Sequence, residues 1–210
     1  NAPLDVPDHA ARAIKASIGM FEAMRVLNAE RRKEAEAKGV PFKALNIGVG
    51  INTGTCVVGN MGSEQRFCYT VLGYAVNLAS RLEGQSKSYG VGIVIGQETA
   101  FAVKDQFALL QLDLLAVKGK NEGVRIYTAL GRASIAADSK FKRNAGRHAA
   151  MLMNYTAQDW DAAEKDIAAL RGAFGGALDE YYDIFIERIA EYRANPPGAG
   201  WDGVYRATSK

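Results

Sequence analysis

The chain has 210 residues, of which 48% are hydrophobic and 23% charged. That is enough apolar material for one sizeable core with an appendage, and it excludes a disordered or fibrous chain. The formal net charge of +3, without a clustered basic face, argues against a nucleic-acid binder.

In chain order, residues 1–7 are polar and proline-bearing and read as a connector. Asp5 and Asp8 are helix N-cap candidates. From Asp8 to Lys38, Ile14, Ile18, Phe21, Met24 and Leu27 recur at helical spacing, and Gly39 and Pro41 end the helix. In Lys43–Asn52, apolar Leu45, Ile47, Val49 and Ile51 alternate with Asn46, Gly48, Gly50 and Asn52, the pattern of a strand with one buried face. The small residues on its other face leave room for a ligand or another backbone. A turn at Thr53–Thr55 and a short strand at Cys56–Val58 predict a hairpin with it. Gly59–Gln65 reads as a glycine-bearing loop, Phe67–Leu72 as a strand, and Tyr74–Ser86 as a helix after Gly73. A buried strand over Val91–Ile95, a short helix over Gln97–Val103, a strand within Phe107–Val117 and a closing strand at Val124–Leu130 complete an α+β pattern with a largely antiparallel sheet.

Beyond residue 131 the composition changes. Residues 132–146 read as a polar, basic connector, and 147–210 as an alanine-rich helical extension with helices at Arg147–Thr156, Trp160–Ala173 and Leu178–Ala194. Trp201 and Tyr205 are expected to dock the tail onto the domain. Two cysteines, Cys56 and Cys68, make no disulfide framework and are expected as buried free thiols. Two distant histidines, His9 and His148, exclude a histidine-rich metal site, and each is expected at the surface or a helix end. No apolar run approaches the roughly 18–20 residues of a membrane span.

The chemistry gathers in Arg66–Glu83, RFCYTVLGYAVNLASRLE. Asn77 and Arg81 lie four residues apart and so share one helix face. An amide beside a fixed-charge guanidinium suits an anionic, polyoxygenated ligand such as a nucleotide phosphate, although such pairs are also common on solvated helix faces. Gly48, Gly50 and Gly54 match neither a Walker loop nor a dinucleotide fingerprint and read as strand and turn geometry.

The run Gly48–Glu83 resembles the middle of a bacterial class III adenylate or guanylate cyclase catalytic domain. The Val117–Lys120 turn (VKGK) with the following RIY, the DWDAA stretch and the closing WDGV are similar to the same family. The resemblance implies a ferredoxin-like α+β domain over residues 1–131, read as the C-terminal portion of a catalytic domain with its N-terminal strand or strands missing. It implies catalytic roles for Asn77 and Arg81 at the ribose and triphosphate. Thr70 matches the position that contacts the purine, and Lys118, with Lys120 as a weaker candidate, matches the lysine that reaches phosphate. The segment Gly59–Tyr69 resembles the family's dimerisation arm.

The same resemblance implies conversion of ATP to cyclic AMP and pyrophosphate, by attack of the ribose 3′-oxygen on the α-phosphate, in signal transduction; GTP is the alternative substrate. Two divalent ions, Mg2+ or Mn2+, would be held by aspartates on a first strand and a hairpin; neither motif occurs here, and this chain is assigned no metal ligand. The purine-selecting lysine of that region is missing as well. Composite sites built between two subunits imply a homodimer. The implied location is cytoplasmic, as a free protein or as the cytoplasmic domain of a membrane-anchored sensor. Tyr74 stands where many members carry aspartate and is expected either at the nucleotide mouth or as a helix cap. Two competing readings are an inactive cyclase-like nucleotide-binding or dimerisation module, motivated by the missing aspartates, and an RNA-binding ferredoxin-like sheet, which lacks paired stacking aromatics.

Overall fold

The computed structural model describes residues 4–63, 66–116 and 123–206. In chain order the elements are α1 (His9–Lys38), β1 (Val49–Ile51), β2 (Val57–Ser63), β3 (Arg66–Leu72), α2 (Tyr74–Ser88), β4 (Ile93–Gly96), α3 (Gln97–Val103), β5 (Phe107–Ala116), β6 (Gly123–Arg132), α4 (Ala133–Ala137), α5 (Ser139–Thr156), α6 (Trp160–Leu170) and α7 (Asp179–Ala194). The fold is α+β. A four-stranded mixed sheet runs in the order β1-β4-β6-β5, and β2 and β3 form a separate two-stranded ribbon. β1 lies parallel to β4, whereas β4–β6 and β5–β6 are antiparallel.

Period-two alternation sends the side chains of these strands to two cores. On one face Ile93, Ile95, Phe107 and Ala129 pack with Ala10 and Ile14 of α1 and Ala100 and Val103 of α3. On the other, Val94, Leu110, Leu112 and Ile126 pack with Leu78 and Leu82 of α2 and with Met151, Tyr155, Ile167, Tyr181 and Phe185 of the C-terminal helices. The helices after residue 131 therefore share a core with the sheet.

Several local expectations are corrected. The strand expected over Lys43–Asn52 is hydrogen-bonded as sheet only at Val49–Ile51. Its first half is held by α1 instead: Asn28 Nδ2 donates to the Leu45 carbonyl at 2.8 Å, and the Leu45 N–H donates to Asn28 Oδ1 at 2.9 Å. With those backbone groups satisfied by a side chain, no ladder is needed there. The segment beginning near Val57 pairs with β3 and not with β1, so the expected glycine loop is strand as far as Ser63. Residues 132–146, expected as a connector, are largely helical. Asp138 accepts the Phe141 N–H at 2.8 Å and starts α5 eight residues earlier than expected.

His148 is buried, not superficial. It shares the inward stripe of α5 with Met151, Leu152 and Tyr155, at helical spacing. The thiols are free, but Cys56 is only half-buried and Cys68 is exposed, because both lie on or beside the β2–β3 ribbon. The tail docks as expected: the Trp201 ring lies 5.4 Å from Tyr155 and 5.2 Å from Tyr192.

Candidate active site

α2 is set against β1 at backbone distance. A Cβ on Gly50 would sit 2.2 Å from the Ala79 carbonyl oxygen, and one on Gly48 would meet the Ser86 hydroxyl. The small residues of β1 thus admit a helix backbone, one of the two alternatives their spacing allows. Asn52, at the end of the strand, donates from Nδ2 to the Ala75 carbonyl at 3.1 Å and ties down the first turn of α2. Gly73 enters the helix at φ 155°, ψ 164°, a region essentially reserved for glycine.

This seating fixes which face of α2 looks outward. Ala75, Leu78, Leu82 and Ser86 are buried. Tyr74, Asn77 and Arg81 fall at i, i+3 and i+7 on the flank beside this buried stripe, and all three are exposed. The amide and the guanidinium therefore stand one turn apart on the outer face of a helix whose inner face is sealed by the core. Thr70, half-buried on β3, pairs with Gly59 and lies three residues before the glycine that starts this helix. Lys118 and Lys120 fall outside the described residues. Their flanks are the end of β5 at Ala116 and the start of β6 at Gly123. A cavity of about 440 Å³ opens at the N-terminal end of α2, lined by Asn52, Thr53, Tyr74, Gln97, Glu98 and Val124. Tyr74 forms part of this mouth, and β6 starts at its wall.

The ribbon β2–β3 leaves and rejoins the chain between Thr55 and Tyr74 of this lining. Register places Val57, Met61, Cys68, Thr70 and Leu72 on one face and Val58, Phe67, Tyr69 and Val71 on the other. Val57, Phe67, Tyr69 and Leu72 are each more than half exposed. Phe67, Tyr69, Val58 and Val71 share one of these faces, and an isolated two-stranded ribbon with exposed apolar side chains is marginal in water.

Among the described residues no group of three or more His, Cys, Asp or Glu side chains is placed to hold a metal ion. Of the early acids, Asp8 accepts from Arg12 Nε at 2.7 Å and makes no side-chain helix cap. The described residues therefore do not fit a two-ion site.

Sequence reasoning missed a buried polar cluster of Tyr89, Asp113 and Arg188, in which Asp113 and Arg188 form an ion pair at 2.6 Å. One signal was available: in FALLQLDLLA an aspartate interrupts an otherwise apolar strand. Burial disfavours the Arg188 charge, but Asp113 and Tyr89 outweigh it and hold the guanidinium above its ordinary range. Burial, reinforced by Asp113, raises the Tyr89 phenol. Nearby, His148 Nε2 lies 2.6 Å from the Gln111 carbonyl and Nδ1 lies 3.0 Å from the Tyr182 hydroxyl. A carbonyl only accepts, so Nε2 carries the proton. Burial lowers this imidazole to about 4, against the opposing pull of the Gln111 carbonyl.

Compared with known proteins, residues 2–130 match the profile of the family described as adenylate and guanylate cyclase catalytic domain. Adenylate cyclase 1 of Rhizobium meliloti (strain 1021) is 34% identical over 131 residues, 62% of this chain and 19% of that protein. An adenylate cyclase of Anabaena cylindrica is 38% identical over 118 residues, 55% of this chain and 23% of that protein. The crystal structure of the adenylyl cyclase CyaB from P. aeruginosa is 36% identical, covers 61% of this chain and 63% of that chain, and gives a TM-score of 0.49. The chain thus spans less than a quarter of the length of these two curated relatives. Among the described residues no helix is long and apolar enough to cross a membrane.

Proposed function

The chain belongs to the adenylate and guanylate cyclase catalytic domain family, and from that premise we propose that it supplies the phosphate-binding half of a nucleotide cyclase site, converting ATP to cyclic AMP and pyrophosphate in signal transduction. The observation that carries this reading is the exposed face of α2, where Asn77 and Arg81 stand one turn apart on a helix whose first turn lines a cavity. The reading takes residues 1–131 as the cyclase unit and 147–210 as a helical extension packed on it. It takes the protein to be a cytoplasmic one or the cytoplasmic part of a larger protein.

The chemistry asks for anion stabilisation. The ribose 3′-oxygen bonds to the α-phosphorus while the bond to the bridging oxygen of pyrophosphate breaks. Negative charge grows on the α-phosphoryl oxygens and on the leaving group. A guanidinium aimed at those oxygens is worth more in the transition state than in the ground state, and removing one such donor typically costs about 10²–10³ in kcat. Arg81 takes this role, and Asn77 orients the ribose with an amide that both donates and accepts. Lys118, supported by Lys120, brings an ammonium to the phosphates. Thr70, with a hydroxyl able to donate or accept, meets the purine edge.

Divalent ions belong to the reading through the family, but the described residues offer them no ligand set, and no step through a metal is assigned to this chain. The metal-bearing half would face α2 from a second subunit in a homodimer, with the β2–β3 ribbon in the contact. One observation favours a second reading, an inactive module that binds nucleotide or pairs with an active subunit: the same lack of a carboxylate cluster among the described residues.

The test is cyclic nucleotide formation by the natural protein with ATP and with GTP, with and without Thr70→Ala. Turnover of ATP in preference to GTP, with the preference narrowed in the variant, supports the reading. Nucleotide binding without turnover selects the inactive module.

A further inference from the structure

The most connected polar cluster outside α2 lies between β5 and the C-terminal helices. Asp113 is only 3% exposed. Its Oδ2 accepts from the Tyr89 hydroxyl at 2.6 Å and from Arg188 Nη1 at 2.6 Å, and its Oδ1 accepts from the Leu114 N–H at 2.8 Å. Arg188 Nη2 also donates to the Tyr89 oxygen at 3.3 Å. The ring of Tyr205 covers the guanidinium, with its centroid 3.4 Å from Cζ. The main chain of Tyr205 takes part too. Its N–H donates to the Leu114 carbonyl at 2.9 Å, and its carbonyl accepts the Ala116 N–H at 3.1 Å. The tail thus adds a rung to the edge of β5.

Each end of this cluster meets an element of the site. Tyr89 is the C-cap of α2, the helix that carries Asn77 and Arg81. Leu114–Ala116 are the last residues of β5, two positions before Lys118. Arg188 joins the two ends, since its planar fork reaches Asp113 and Tyr89 while its face stacks on Tyr205, a combination that a lysine ammonium does not reproduce. Neither Arg188 nor Tyr205 lies within the residues that match the family profile.

We propose that Arg188 is a positioning residue of the site: acting through Asp113 and Tyr89, and locked by the ring of Tyr205, it sets the spacing between the Arg81 helix and the end of β5 at Ala116. This rests on the cyclase reading. A buried ion pair is weak evidence for stability but holds one arrangement against others. The helices and tail after residue 131 are then part of the support of the site, and the Tyr205 rung is the component nearest the surface.

The test uses Tyr205→Ala and Tyr205→Phe in the natural protein, with steady-state kinetics on ATP and hydrogen exchange by NMR. Tyr205→Ala lowers kcat by roughly 10- to 100-fold, the scale expected of a misplaced reacting group, with KM changed by less than about threefold. Tyr205→Phe keeps the stacked ring and restores kcat. Exchange in Tyr205→Ala rises at Ala116 and also along the last turn of α2 around Tyr89. Unchanged kcat in an active protein overturns the proposal. If the wild type proves inactive, the cyclase reading fails, and exchange still decides the coupling: a rise that reaches α2 supports it, and a rise confined to the tail and Ala116 overturns it.

Discussion

In the ribbon β2–β3, six large apolar side chains (Val57, Val58, Phe67, Tyr69, Val71 and Leu72) are exposed to solvent. Along the edge strand β5, by contrast, the carbonyls of Gln111, Leu112 and Leu114 meet donors from His148, Tyr181 and the Tyr205 backbone. Both regions are strand edges, and an uncovered edge or apolar strand face is a liability unless something covers it. The chain supplies that cover for β5 from its own C-terminal helices. The six ribbon side chains stand exposed, as do Asn77 and Arg81 on α2. The first region is packed within this chain; the second stands exposed at its surface, and the cyclase reading assigns it to the nucleotide and a second subunit. Substitutions in the second should therefore register in activity with little change in stability, whereas substitutions in the first should register in stability, and in turnover only through the seating of α2.

The largest expected stability effect is at the ion pair. Arg188→Met leaves Asp113 buried without its charge partner and should cost about 3–5 kcal/mol in urea unfolding. Arg188→Met combined with Asp113→Leu should recover much of that loss, because an apolar pair no longer carries an unpaired charge. A loss below about 1 kcal/mol in the single variant would mean that this side of the molecule is less closed than its hydrogen bonds imply.

Next in size is a pH effect at His148. Folding holds the imidazole neutral down to about pH 4, while the unfolded side chain takes up its proton near 6.5. Between those values the unfolded state binds more protons, so stability rises with pH. The contribution is complete above pH 6.5 and is lost as pH falls toward 4, by about 3 kcal/mol at 1.36 kcal/mol per pH unit. His148→Gln removes the titration and should flatten that part of the profile. A profile in the variant as steep as the wild type's would assign the acid loss to other groups.

The contrast between the two regions also explains what the sequence disclosed. Elements with strong local signals were legible: α3 and the start of α2 lie where helix patterning and Gly73 place them, and β5 follows its apolar alternation. Asn77 and Arg81 were legible as neighbours because a helix fixes their spacing locally. Choice of partner was not. The alternation of Leu45, Ile47, Val49 and Ile51 gives a strand-like face but not the partner, and Asn28, 17 residues away from Leu45, takes the backbone groups of its first half. His148 looked superficial because histidine usually is; its place on the stripe with Met151, Leu152 and Tyr155 was the signal that it is not. The Tyr89–Asp113–Arg188 cluster joins residues up to 99 positions apart, a separation beyond the reach of any local pattern. Only the aspartate inside β5 hinted at it.

The central claim is that the outer face of α2 is chemical rather than structural. The direct measurement is turnover and unfolding free energy of the natural protein with Asn77→Ala and Arg81→Ala. Both side chains are exposed, so stability should change by no more than about 0.5 kcal/mol. Cyclic nucleotide formation should fall by about 10²–10³ for Arg81→Ala, the usual loss for one transition-state donor, with a smaller rise in KM. Wild-type turnover in Arg81→Ala, or a loss of turnover matched by a comparable loss of folding, would contradict the account.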